Sequence, residues 1–81
     1  MRYDEAKIDE AVLAVFYLTA WEERGLTRAW KGIDWSASNR LRERGLIDDP
    51  QNKNKSIAFT ENGLALARAA AQRLFSSEPH R

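Results

Sequence analysis

Apolar positions recur at helical spacing over the first twenty residues. In "DEAKIDEAVLAVFYLTAWEE", Ile8, Val12, Val15 and Thr19 share one stripe, and Ala11, Leu18 and Glu22 run beside it. Leu13, Phe16 and Tyr17 fill the positions between. A helix apolar on nearly all sides is either central to its fold or covered by a second chain. Asp4 and Glu5 place negative charge where the helix dipole favours it. Arg24 and Gly25 read as the end of this helix, a basic residue before a C′ glycine.

The pattern then loses its period. "LTRAWKGIDW" holds two tryptophans, Trp30 and Trp35, and a turn-forming Gly32. One short helical turn around Thr27–Lys31 fits, and nothing longer. The two indoles could flank a substrate or stack a base. Filling the centre of a small domain is the favoured reading. Asp34, or alternatively Ser36, caps the next helix. On that helix Ser38, Leu41 and Gly45 fall on one side, flanked by Ala37 and Trp35. Ser36, Asn39, Arg40, Glu43 and Arg44 collect on the other. Gly45 ends it.

From there the period is two. Leu46 and Ile47 read as a short strand, and "DDPQNKNKS" is a loop, since Pro50 lacks a ladder donor. "SIAFT" alternates, with Ile57 and Phe59 on one face and Ser56 and Ala58 on the other. The prediction is a two-stranded hairpin with Lys53 and Lys55 at its tip. Thr60 opens the last helix, with Leu64, Ala67, Ala71, Leu74 and Phe75 at helical spacing. "SSEPHR" is polar and reads as a frayed tail. The elements make one domain over residues 1–75, with a tail at 76–81.

Two strands are not stable alone in water and must lie on the helices. The expected fold is therefore mainly α with a small β-hairpin, an α+β class: a winged-helix-like three-helix core plus a two-stranded wing. "LRERGLIDD" followed by "SIAFTENGLALA" resembles the third helix, wing and last helix of bacterial winged-helix, or helix-turn-helix, regulators of the multiple-antibiotic-resistance and phenolic-acid types. Leu41, Gly45, Leu46, Ile47, Phe59, Thr60 and Gly63 carry the resemblance, which covers residues 34–75. It departs at Leu26–Ile33, where such regulators place a full helix that braces the recognition helix. The whole chain, with "AWKGIDW" in its middle, also resembles a family of small uncharacterised bacterial proteins.

Composition narrows the chemistry. The chain has 81 residues, no cysteine and one histidine, His80. Disulfides, thiolate metal sites and histidine-built zinc sites have no ligands to use. No phosphate-cradling glycine motif and no nucleophile–base pair is present. Asp9–Glu10 and Asp48–Asp49 are adjacent carboxylates of the solvated kind. No enzyme activity, metal or cofactor is expected. No segment reaches the ~18 apolar residues of a membrane span, and the acidic start lacks the basic region of a signal peptide. The expectation is a cytoplasmic protein with no membrane partner.

Charge is uneven along the chain although its net value is +1. Residues 1–25 carry three basic against six acidic side chains, and residues 26–81 carry ten against six. The second part therefore leans toward an anionic partner. One functional reading is a DNA-binding regulator acting as a homodimer through its first and last helices. In it Ser36, Asn39 and Arg40 contact base edges in double-stranded DNA. Lys31, Arg42, Arg44, Lys53 and Lys55 contact phosphates. Glu43, Asp48 and Asp49 oppose that surface. The alternative is a protein-interaction or dimerisation module without DNA, in which Asn39, Arg40 and Arg44 are only solvated. The DNA-binding reading expects that changing Asn39 and Arg40 to alanine abolishes sequence preference and leaves thermal stability nearly intact.

Overall fold

A computed structural model describes residues 2–30, 35–48 and 56–77 of the chain. The first helix, α1, spans Glu5–Leu18. Asp4 is its N-cap, and its carboxylate accepts from the backbone N–H of Ala6 at 3.0 Å and Lys7 at 3.3 Å. The helix stops earlier than its apolar pattern does. Thr19 closes it by donating its hydroxyl to the Val15 carbonyl at 2.9 Å, a local bond that competes with further helix.

The next residues are a β-hairpin, not the end of a helix. Strand β1 (Trp21–Glu23) pairs antiparallel with β2 (Leu26–Trp30), with Trp21 opposite Arg28 and Glu23 opposite Leu26. Arg24 and Gly25 form the two-residue connection at φ 53° and φ 79°. Two left-handed residues in succession match the right-handed twist of the strands they join. The arginine–glycine pair read as a helix stop is thus a hairpin turn. The short helical turn expected at Thr27–Lys31 is strand through Trp30, and Lys31 lies outside the described residues.

Helix α2 spans Trp35–Glu43. The Asp34 cap expected for it falls outside the described residues. Its far end explains "RLRERGLIDD". Gly45 N–H donates to the Arg42 carbonyl at 2.9 Å, and Leu46 N–H donates to the Leu41 carbonyl at 3.0 Å. With Gly45 at φ +74°, these two bonds make a Schellman C-cap. The cap turns the chain so that Leu46 joins Leu41 in the core, both fully buried.

Strand β3 (Ser56–Ala58) pairs antiparallel with β2, with Ala29 opposite Ile57. Ile47 bridges Phe59 on the same strand's continuation, so the expected pairing of these two segments is present. It is one part of a larger unit. The sheet has three strands in the order β1-β2-β3, where a two-stranded wing was expected. The loop at 49–55, with Lys53 and Lys55, lies outside the described residues.

Helix α3 spans Glu61–Phe75 and starts at Thr60. The Thr60 hydroxyl accepts from Gly63 N–H at 3.0 Å and donates to the Gly45 carbonyl at 2.7 Å. One side chain therefore joins the end of α2 to the start of α3. The fold class is α+β, three helices with a three-stranded antiparallel sheet.

The core is centred on Phe16, Leu41, Leu46 and Ile57, its largest fully buried side chains. Val12 and Leu13 of α1, Ala29 of β2, Ala37 of α2, Ala67 of α3, Ile47 and Phe59 pack with them, so the inner face of the sheet lies on the helices. A second cluster joins α1 to α3 through Ala14, Ala70 and Ala71. Small side chains there bring the two helices close. Glu10 pairs with Arg73, while Tyr17 and Leu18 share a shallow pocket with Leu64 and Arg68. The two helices therefore run antiparallel. Leu74 and Phe75, expected on the buried stripe of α3, are exposed; Gly63, Ala67, Ala70 and Ala71 are the residues that α3 buries.

Candidate interaction surfaces

The polar side of α2 is the first surface the sequence singles out. Ser36, Arg42, Glu43 and Arg44 are exposed as expected. Asn39 and Arg40 are not. Both are half-buried. The Arg40 Nε donates to both carboxylate oxygens of Asp9 at 2.9 Å, and Nη2 donates to Oδ1 at 2.7 Å. Nη1 reaches Glu5 at 3.2 Å. Asp9 is only 3% exposed, so this is a fork-shaped clamp on a buried carboxylate.

The clamp corrects two sequence readings. Arg40 belongs to the α1–α2 contact, where its guanidinium is engaged by Asp9 and Glu5 instead of a base edge. Asp9, read as one of a solvated acidic pair, is buried and hydrogen-bonded. Arg40 of α2 lies across from Asp9 of α1 once the two helices pack. No spacing within either segment reveals a pairing 31 residues apart. Asn39 shows a related departure: its Oδ1 is buried and has no hydrogen-bond partner among the described residues. A side chain reading adenine needs that oxygen at the surface. Of the phosphate-contact residues, Arg42 and Arg44 are exposed and form no ion pair among the described residues. Lys31, Lys53 and Lys55 lie outside them.

The outer side of the α1–α3 pair is the second surface. Ala11, Val15 and Leu18 follow one another at helical spacing on α1, as Leu64, Arg68 and Phe75 do on α3. Leu18 is 58% exposed and Phe75 is 50% exposed. Because the helices are antiparallel, these two mark opposite ends of the pair.

The third surface was not foreseen. Successive strand residues point to opposite faces. Ala29 is buried inward, which turns Arg28 and Trp30 outward. Trp30 is 60% exposed, contrary to the core-filling role expected of it. Its ring lies 4.8 Å from that of Trp21, tilted by 42°. Arg28 stands directly across from Trp21. Its Nε donates to Ser56 Oγ at 2.8 Å and its Nη2 to the Ser56 carbonyl at 3.3 Å. The guanidinium therefore reaches across to β3 and is held by Ser56, and Ser56 and Ala58, the outward residues of that strand, are buried. The alternation of Leu26, Arg28 and Trp30 was the available signal, masked by the glycine that follows.

Among the described residues, no three His, Asp or Glu side chains converge on a point where a metal could bind. No described helix is long and apolar enough to cross a membrane.

The chain matches a domain of unknown function, DUF6429, over residues 4–77. It is also 51% identical over 76 residues to the uncharacterized protein y4hR of Sinorhizobium fredii (strain NBRC 101917 / NGR234), covering 94% of this chain and 99% of that one. No solved structure matches it. The matched span runs from the Asp4 cap to just beyond the end of α3, and the chain belongs to the DUF6429 family.

Proposed function

We propose that this domain is a non-catalytic interaction module that associates with a second copy of itself through the outer side of α1 and α3. The observation that carries the reading is Leu18 and Phe75 left in solvent at opposite ends of one helix pair. The face is small. Fourteen residues of α1 at 1.5 Å each give a length of roughly 20 Å, and two helix widths give about the same. That is roughly 400 Å² per partner, against about 800 Å² in stable complexes. Association on this face is therefore weak and concentration-dependent. Sedimentation equilibrium tests it: the reading expects a monomer–dimer equilibrium that Leu18→Glu and Phe75→Glu together shift to monomer. A wild-type chain that stays monomeric at millimolar concentration defeats it. A cytoplasmic location belongs to the same proposal, and fractionation of cells expressing the tagged chain checks it.

A regulator-like reading, with double-stranded DNA as partner, draws its support from Arg42 and Arg44, exposed side by side at the end of α2. They suit phosphates, with Ser36 as the remaining exposed candidate for a base. Each phosphate neutralised adds about 0.9 to the slope of log affinity against log salt. Changing both arginines to alanine should lower that slope by about 1.8. Titrating a random duplex at two salt concentrations measures it; an unchanged slope removes this reading.

A further inference from the structure

We propose that the outer face of the sheet is a stacking platform for unpaired bases of a single-stranded nucleic acid. Trp30 is the stacking ring, Trp21 its buttress and Arg28 the hydrogen-bond donor. The proposal is independent of self-association and of duplex binding through α2.

The first support is the exposure of Trp30 itself. A domain this small is short of core volume, yet its sheet holds a largely exposed indole on the side away from the helices. The second is order. The tilted contact with Trp21 fixes one edge of the Trp30 ring, so a base arriving on its open side meets a surface already set. The third is Arg28. A guanidinium has five N–H donors, and the bonds to Ser56 employ Nε and one hydrogen of Nη2. Three donors remain, on a guanidinium that Ser56 holds on the same sheet face as the rings, for a base carbonyl or a phosphate oxygen.

Size and charge select the occupant. Three strands spaced about 4.8 Å apart, with three to five residues of about 3.4 Å each, give a face of roughly 14 Å by 10–17 Å. That accommodates two or three bases, as on other sheet platforms. It is far below the area a stable protein partner needs. A duplex offers no free base faces, whereas every unpaired base has one. Glu23 and Arg28 lie on the same outward face and nearly cancel. Binding therefore rests on stacking more than on phosphate neutralisation and depends only weakly on salt.

The test uses the full chain and a fluorescent oligo-dT ten-mer, read by anisotropy and by quenching of tryptophan emission. The ten-mer should bind and quench, and a random duplex should not compete at this site. Trp30→Ala should weaken binding by roughly 5- to 150-fold, the worth of one base stack, with a melting temperature lowered by no more than the lost contact with Trp21 accounts for. Trp30→Phe should recover part of the loss, and it serves as the probe should the alanine variant not fold. The proposal is overturned by absence of binding at high micromolar protein and low salt. It is equally overturned by Trp30 variants that bind like wild type, or by thymidine monophosphate competing as well as the ten-mer. Dimer formation is read separately by sedimentation, so either result stands without the other.

Discussion

At the scale of single residues, the strongest consequence of the structure is a reversal. In sequence Arg40 is one more solvated cation. In the fold it holds a carboxylate that is almost wholly buried, with its own side chain 26% exposed. Removing one partner of such a pair leaves the other unpaired in a poor solvent, a loss of about 3–5 kcal/mol when both are fully buried. Arg40 reaches water, so Arg40→Ala should cost about 2–3 kcal/mol in urea unfolding, below that scale. The sequence expectation was near-neutrality. Replacing both partners with apolar residues, Asp9→Leu with Arg40→Met, should recover most of the loss. A single variant within about 0.5 kcal/mol of wild type would show that the clamp contributes little.

Gly63 carries a constraint of another kind. It belongs to the first turn of α3, and a Cβ there would fall onto the Leu46 carbonyl oxygen, backbone against backbone. Neither segment can yield without breaking the bond from Thr60 N–H to that same carbonyl. Gly63→Ala should therefore destabilise by about 3 kcal/mol, the upper range for overpacking, although alanine is the better helix former. Chemical denaturation decides between packing and propensity, because propensity alone predicts a gain.

At the scale of elements, what was legible in the sequence is what neighbouring residues decide. The Asp4 and Thr60 caps, the Gly45 stop and the burial of Ile57 and Phe59 all follow from local chemistry. All seven residues that carry the regulator resemblance have local work in the fold. Leu41, Gly45 and Leu46 make the Schellman cap. Ile47 bridges Phe59. Thr60 and Gly63 start α3 against Leu46. What was not legible depends on partners distant in the chain. "ERG" serves equally as a helix end and as a left-handed turn, and only pairing with β3 selects the turn. The hairpin replaced both the tail of the first helix and the short turn after it, and took Trp30 out of the core.

That turn supplies its own prediction. Arg24 adopts φ 53° without being glycine, asparagine or aspartate, at a cost that L side chains ordinarily avoid. Arg24→Asn should stabilise the hairpin by about 0.5–1 kcal/mol. Gly25→Ala should destabilise it by about 1 kcal/mol, although nothing lies within 4 Å to obstruct the added carbon. Opposite signs at adjacent positions, measured by thermal melting, separate a left-handed turn from a helix end. At a helix end, loss of the glycine would matter and Asn at 24 would bring no gain.

At the scale of the whole molecule, core size and surface chemistry are linked. The residues that fill the centre are few and moderate in volume, and the α1–α3 seam is closed by three alanines. Such a domain has little stability in reserve, so even weak self-association should be visible as stability. A partner at ten times its dissociation constant adds RT ln 11, about 1.4 kcal/mol. For a domain of this size that corresponds to a rise of about 5–10 °C in melting temperature. Melting followed from low micromolar to millimolar protein should show such a rise. Leu18→Glu with Phe75→Glu should flatten the dependence and lower the dilute value only by the roughly 0.3–1 kcal/mol that each carboxylate costs at a helix C-terminus, since both side chains are at least half exposed in the monomer. A flat wild-type curve would confine this family member to the monomer. A dilute-limit drop well beyond that dipole cost would show instead that these side chains support the fold itself, and the helix pair could then no longer be read as an open interaction face.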